Sequence, residues 1–491
     1  MQETAKTVDT LSWRRIIGFG CYQGFVFSAF YMGSNHELAL GPFMFERAEM
    51  LLTLVFMLAM FAGFRLAPAS MERIASNKAA MVLCSVLLTA GSCAHLLPDA
   101  WQPLAVVLEG LCLGPAMAFL LIAWGRALGA SSPRYAATEI FTATALAGVA
   151  CFLLWLLPNA AAFFIPRVLP LASGALLLAR TADHDSISTN SDFAGEGAQV
   201  LAVSDASDAS ADASSHGKLS RKALAGAALF GVAAGFVEAY RSDPGALSTP
   251  AFPATLIMLA IFCVAVLQAL SSDGKDEQET FGSMYRISFL VIMAGFLFAP
   301  AFGGMGIGIP GDSVVLAGYL GLTSVFMSLF LALAHISGMD ASVAFSRGFF
   351  AIYGGQAVGI VAANVFDGAV GLLVAPYFFM AAAGLVALFA YLFLFKEEDF
   401  RQLSAVVDQQ DYAELAYQML VERAKLSERE SQVLALALKG RTNERIAQEL
   451  VVAKSTADTH LRRIYAKCGV HSRQELIDLH EELQKKAAAT D

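Results

Sequence analysis

The chain has 491 residues, of which 57% are hydrophobic and only 15% charged, and its net charge is −9. Its mean hydropathy is +0.58, whereas soluble domains carry about a quarter charged residues. A single soluble fold is therefore excluded. The acidic balance owes much to one linker and carries no functional signal.

Before about residue 400 the chain is a series of apolar runs of 18–25 residues separated by short loops. A run of that length spans the roughly 30 Å hydrocarbon layer as a helix. The spans are expected at 16–33, 50–67, 79–97, 103–123, 137–157, 159–179, 223–240, 253–270, 286–304, 314–336, 348–366 and 369–395. Arg14 and Arg15 precede the first run as they would in an export signal. That run is too long and too polar for a cleaved segment, with Tyr22 and Gln23 inside it, and is expected to be retained.

Lys and Arg set the orientation. With the N-terminus inside, the inner loops and flanks hold seventeen of them, from Lys6 to Arg401, and the outer loops only Arg47 and Arg241. An even number of spans puts both termini in the cytoplasm, so the chain is expected in the cytoplasmic (inner) membrane of a bacterium. Six cysteines (Cys21, Cys84, Cys93, Cys112, Cys151, Cys263) fall in spans and Cys468 lies beyond them. None makes a CxxC pair or metal-ligand spacing, so they read as small apolar fillers. No metal or other cofactor is expected.

The first six spans occupy 1–180 and the second six 223–395. Between them, 181–222 is rich in Ser, Asp, Ala and Gly, including SDASDASADASS, and is expected to be a disordered cytoplasmic loop. Two six-helix halves joined by a long inner loop resemble the major facilitator architecture, by layout alone. That family carries Gly, an Asp-Arg pair, then Gly and basic residues between its second and third helices. Here the loop reads PASMERIASNK. Glu72, Arg73 and Lys78 keep some charge, but the Gly and Asp are missing, which counts against transport.

After Phe395 the text becomes soluble. In 396–425, Phe400, Leu403, Val407, Leu415, Met419 and Leu420 recur at rough helical spacing. This is either a helical connector that relays span movement or pairs with a second copy, or an amphipathic spacer lying against the membrane or the next domain.

Residues 426–486 carry the most specific pattern. Ser427 with Glu430, Ser455 with Asp458, and Ser472 with Glu475 each fit the S-x-x-E/D capping box. Gly440 suits a left-handed helix end and Thr442 a cap. Apolar Val433, Leu434, Leu436, Ile446, Ala447, Leu450, Leu461, Ile464, Leu476 and Ile477 supply a small shared core. A helix over 443–450, a turn 451–454 and a helix over 456–467 make a helix-turn-helix, with the second helix entering the major groove. Its outward face offers Thr459, Arg462 and Arg463 to base edges, with Lys454 and Lys467 at its ends for phosphates.

The stretch resembles the LuxR-type helix-turn-helix. Its matching residues are Leu426, Ser427, Arg429, Glu430, Gly440, Thr442, Asn443, Ile446, Ala447, Leu450, Ser455, Thr456, His460, Lys467, Val470, Ser472 and Arg473. The resemblance implies promoter DNA as partner and a homodimer formed through the last helix, about 473–485. Ala457 and Asp458 depart from the family's Val and Lys/Arg. An acid near phosphates costs affinity. Asp458 either caps its own helix, accepts from a cytosine amino group, or marks a domain that no longer binds well.

Inside the spans, Glu109 and Arg167 sit where they could pair, Glu238 and Arg241 lie near the outer end of the seventh span, and Gln23 and Gln356 add neutral polar groups. Either they converge on an outward-facing pocket for an extracellular small molecule, or Glu109–Arg167 is an interhelical staple and the rest are interface residues. The literal GxGxxG at Gly306–Gly311 lies in an outer loop with no strand-turn-helix unit, so no dinucleotide site is expected.

The expected protein is all-α. It is a polytopic bundle of about twelve spans (6+6) with a four-helix LuxR-type domain, acting as a membrane-bound one-component transcription regulator and not an enzyme. A transporter with a regulatory C-terminal domain is the alternative. A membrane tether released by proteolysis is a third possibility.

Overall fold

The computed structural model describes residues 12–32, 38–40, 43–75, 77–98, 101–188, 209–239, 252–271, 286–294, 311–337, 339–370, 376–391, 412–413 and 415–490. In the first half, α1 (Trp13–Phe27) continues as a π-helix (Ser28–Met32) and leads to a short antiparallel hairpin, β1 (Leu38–Leu40) with β2 (Phe43–Phe45). Next come α2 (Ala48–Leu66), α3 (Pro68–Ala75), α4 (Lys78–Gly91), α5 (Gln102–Leu128), α6 (Pro133–Trp155) and α7 (Asn159–Ser188). The second half holds α8 (Ala209–Ala239), α9 (Phe252–Ser271), α10 (286–294), α11 (Gly311–Ser337), α12 (Ala341–Val370) and α13 (Pro376–Phe389).

Helices stand at all twelve expected positions. Among the described residues eight of them, α2, α5, α6, α7, α8, α9, α11 and α12, are long and apolar enough to cross a membrane. The described parts of α1, α4, α10 and α13 are shorter. Apart from the one hairpin, the regular structure among the described residues is helical.

The two halves repeat one packing scheme. In the first half α1 packs on α6 and α7, and α2 on α5; in the second, α8 packs on α12 and α13, and α9 on α11. Shifting each helix by six spans turns the first set into the second. Contacts between halves obey the same rule, because α2 meets α12 as α9 meets α6, and α5 meets α12 as α11 meets α6. That is a pseudo-two-fold arrangement of inward-packed helices.

Lipid tails are as apolar as Leu, so helices in a membrane associate by close van der Waals packing, and small residues permit it. α8 and α12 meet in this way: a side chain at Gly231 or Gly235 would strike Ile352 and Gln356, and one at Gly355 or Gly359 would strike Ala228 and Val232.

Several boundaries differ from the sequence reading. α7 and α8 extend into the segment expected to be disordered, to Ser188 and from Ala209, while 189–208 lie outside the described residues. α12 begins at Ala341, seven residues before its expected start, because the turn Ser342–Arg347 is helical despite its polarity.

The C-terminal segment has its own core. It comprises α14 (415–423), α15 (Glu428–Leu438), α16 (Asn443–Glu449), α17 (Lys454–Cys468) and α18 (Arg473–Thr490). Of the ten expected core positions, Val433, Leu434, Leu436, Ile446, Ala447, Leu461, Ile464 and Leu476 are buried there. Leu450 packs partly buried, Ile477 is half-buried, and Leu483 is buried as well. Ala416 and Leu420 of α14 join that core, so the described part of the connector packs against the domain that follows, while Met419 is exposed. Phe400, Leu403 and Val407 lie outside the described residues.

Candidate nucleic-acid interface and inter-half cavity

α16, the turn at 450–453 and α17 make the expected helix-turn-helix. Thr442 caps α16 by accepting from the Arg445 N–H at 3.3 Å. Val451 takes φ 54° in the turn and is exposed. Ala457, Leu461 and Ile464 bury one face of α17 against α15 and α16. The opposite face therefore presents Ser455, Thr456, Thr459, Arg462 and Arg463, all exposed. Among the described residues neither Arg462 nor Arg463 forms an ion pair, so both guanidinium groups are available. Thr459 donates its hydroxyl to the Ser455 carbonyl at 2.8 Å.

Other predicted contacts are used inside the domain. Lys467, expected at a phosphate, is engaged inside the domain: its ammonium donates to the Glu430 carboxylate at 2.6 Å and to the Lys425 carbonyl at 3.2 Å. Glu430 also completes the capping box of α15, accepting from the Ser427 N–H at 2.8 Å. Burial pushes the Glu430 carboxyl up, but the bonds from Lys467 and Ser427 outweigh it and hold it at about 2. Asp458 accepts from the Asn443 amide at 2.6 Å, which ties α17 to α16 and withdraws both side chains from the outward face. The Ser455–Asp458 box does not form, because α17 starts one turn-fraction earlier, at Lys454 with Ala453 as cap.

Lys454 pairs with Glu444 at 2.5 Å, and that bond raises the Lys454 pKa and lowers that of Glu444. Both are exposed, where water screens such a pair, so a phosphate can take the ammonium. Sequence reasoning gave Arg473 no structural task; it donates to the Ala437 carbonyl at 2.6 Å and satisfies the open end of α15. At the start of α18, Ser472 accepts from the Glu475 N–H at 3.1 Å, while the Glu475 carboxylate reaches the His471 N–H, not that of Ser472. On the connector side, Tyr417 donates to the Ser431 carbonyl and a His480 ring nitrogen lies 3.0 Å from the Ala413 carbonyl.

In the membrane part, three of the predicted polar residues converge and two do not. Gln23 and Gln356 line a small, partly open cavity between the halves, with walls from α1, the π-helix, α11 and α12. Glu238, at the end of α8, accepts from the Tyr31 hydroxyl at 2.9 Å and the Gln356 amide at 2.8 Å. Tyr319 donates to Gln356 at 3.2 Å, and Gln23 donates to Thr144 at 2.9 Å. Arg241 lies outside the described residues.

Glu109 and Arg167 are not part of this cavity. Arg167 is held by donation to the Ser92 and Phe163 carbonyls and by stacking over the Phe163 ring. Sequence reasoning also missed a buried ion pair. Glu139, 0% exposed on α6, accepts two bonds from Arg15 at 2.7 Å and one from the Ser12 N–H. The residues are 124 apart, so only the packing of α1 on α6 reveals them. Among the described residues no group of three or more His, Cys, Asp or Glu is placed to hold a metal ion.

Residues 424–480 match the family model described as bacterial regulatory proteins, luxR family. Over 66 residues the chain is 44% identical to the HTH-type transcriptional regulator MalT of Serratia proteamaculans (strain 568). That overlap is 13% of this chain and spans only 7% of the relative's length. Among solved structures, the chain is similar to the major facilitator superfamily transporter FucP in its outward conformation, at 14% identity, TM-score 0.41, over 78% of this chain and 98% of that one. It is also similar to the human organic anion transporter MFSD10 (TETRAN), at 13% identity, TM-score 0.39, over 80% and 84%. Those overlaps are loose, and the two-half arrangement stands on the helix contacts described above. The C-terminal segment is a LuxR-type helix-turn-helix domain, and it follows a polytopic helical region in which eight helices among the described residues are long and apolar enough to cross a membrane.

Proposed function

We propose that the protein is a membrane-bound one-component transcription regulator. It binds promoter DNA through α17 and senses a small molecule in the inter-half cavity. The observation that carries this is the outward face of α17: two exposed guanidinium groups, Arg462 and Arg463, flank Thr459 on a helix whose other face is locked into a luxR-family core. Arginine reads guanine through two hydrogen bonds, and threonine approaches a thymine methyl or a base edge. Ser455, Thr456 and Lys454 at the start of α17 reach the flanking phosphates.

In this reading the α17 domain lies in the cytoplasm and the cavity faces the outer side of the cell membrane, which the excess of Lys and Arg in the expected inner loops supports. Two copies bind, paired through α18. A ligand biases DNA binding only if it prefers one packing of the halves over another. α14 is positioned to carry that bias, because it packs into the core of the DNA-binding domain through Ala416 and Leu420.

A transcription reporter behind a site selected from random DNA tests the reading. Removing residues 412–490 or introducing Arg462→Ala is expected to abolish its regulation, with the membrane part still inserted. Unchanged reporter output in both would refute it. The cavity also favours a second reading, a transporter with a regulatory tail. Solute flux in proteoliposomes that persists after removal of 412–490, alongside an unregulated reporter, would select that reading.

A further inference from the structure

The inter-half cavity has a chemical bias that its size alone does not convey. Six aromatic rings line it, from Tyr22, Phe27, Phe30, Tyr31, Tyr319 and Tyr353, and no lysine or arginine does. Five of the wall's hydroxyls already donate into the protein. Tyr22 donates to the Met117 carbonyl, Tyr31 to Glu238, Tyr319 to Gln356, Thr323 to the Tyr319 carbonyl, and Ser324 to the Leu320 carbonyl. A hydroxyl has one proton and two lone pairs. With the protons directed into the protein, these groups turn acceptors toward the cavity. Their wall suits a ligand that donates.

Charge points the same way. Glu238 stands behind Tyr31 and Gln356 and accepts from both. Arg47, over the Tyr31 ring at 6.0 Å from its centroid, is a cation whose charge acts on Glu238, and it is shared with Glu49 at 3.9 Å and donates to the Phe30 carbonyl. Among the described residues these three charged groups sum to one negative charge. An electron-rich aromatic wall attracts a cation over its ring faces, and an anion would meet acceptors and a carboxylate.

We infer that the cavity takes a monovalent organic ammonium ion carrying an apolar group, with the tyrosine and glutamine oxygens accepting its N–H bonds and Glu238 as its counter-charge. This rests on the proposed reading of the cavity as the sensory site. The apolar group packs against Val26, Phe27, Leu320 and Met327.

Three probes of one shape test the class on the intact chain in nanodiscs by calorimetry: 2-phenylethylammonium, 3-phenylpropanoate and 2-phenylethanol. The ammonium is expected to bind at least tenfold tighter than the alcohol, and the carboxylate more weakly than either. Glu238→Gln is expected to cost the ammonium tenfold or more and leave the alcohol within threefold, whereas Glu109→Gln, outside the cavity, leaves all three unchanged. If Glu238→Gln fails to fold, the ranking on the natural chain decides. A carboxylate that binds as tightly as the ammonium, an ammonium no tighter than the alcohol, or no binding of any probe would overturn the inference. If the ranking holds but the ammonium leaves reporter transcription unmoved, the ligand class stands and the sensory reading falls.

Discussion

The helix-turn-helix domain and the inter-half cavity satisfy their polar groups over different ranges of sequence. In the C-terminal domain most bonds are local: Ser427 with Glu430, Thr442 with Arg445, Ser472 with Glu475. In the membrane part the bonds between two side chains mostly join distant helices, as in Gln23 with Thr144, Tyr31 with Glu238, and Gln356 with Glu238. Water is absent from the bilayer core, so a polar side chain there must find another side chain or a main-chain group, wherever in the chain that lies. Local bonds position a reading helix independently of the rest. Of the distant bonds, Tyr31 with Glu238 crosses between the halves, so the shape of the cavity depends on how the halves meet.

Four substitutions or conditions would break or sharpen this contrast. The largest effect is expected where distant helices touch. Gly235→Leu drives a side chain into Gln356 of α12, and overpacking of this kind costs about 3 kcal/mol. Thermal unfolding of the detergent-purified chain would record the loss, with the C-terminal core unaffected. Next, Arg462→Ala removes the proposed base-reading group and is expected to weaken specific DNA binding by about 1–3 kcal/mol, roughly five- to 150-fold, with no change in melting.

Lys467→Ala separates two accounts of one residue. As an internal staple to Glu430, it is expected to cost about 1–2 kcal/mol of domain stability while leaving the salt dependence of DNA binding unchanged. A phosphate contact would instead lower the salt slope by about one unit. The last effect concerns pH. Glu430 is held at about 2 against an ordinary 4.5. A depressed carboxyl contributes stability that is present above 4.5 and lost as pH falls toward 2. Acid unfolding of the C-terminal domain should therefore shift to higher pH in Glu430→Gln and lose steepness in that window.

Much of the fold was legible in the sequence, and the reason is physical. Apolar runs reveal spans one at a time, and positive charges order them. Capping boxes, Gly440 at φ 76° and the apolar spacing revealed the helix-turn-helix because each signal is local. What escaped depends on three-dimensional neighbours. Lys467 and Asp458 look like DNA contacts by position on a helix, until Glu430 and Asn443 arrive from other helices to claim them. Glu139 looks like an ordinary residue near a helix start, until α1 brings Arg15 across 124 positions. In the cavity, Gln23, Glu238 and Gln356 were legible as polar residues in apolar runs. The four tyrosines around them were not, since a tyrosine in a span is ordinary until its hydroxyl is seen to have a partner.

DNA capture by the intact chain in nanodiscs, from a random-sequence library and across a salt series, tests the central claim most directly, with Arg462→Ala/Arg463→Ala run alongside. The account predicts sequence-selective capture that weakens steeply with salt and disappears in the double substitution. Capture that is indifferent to the two arginines, or no capture by a chain whose C-terminal domain is folded, would contradict it.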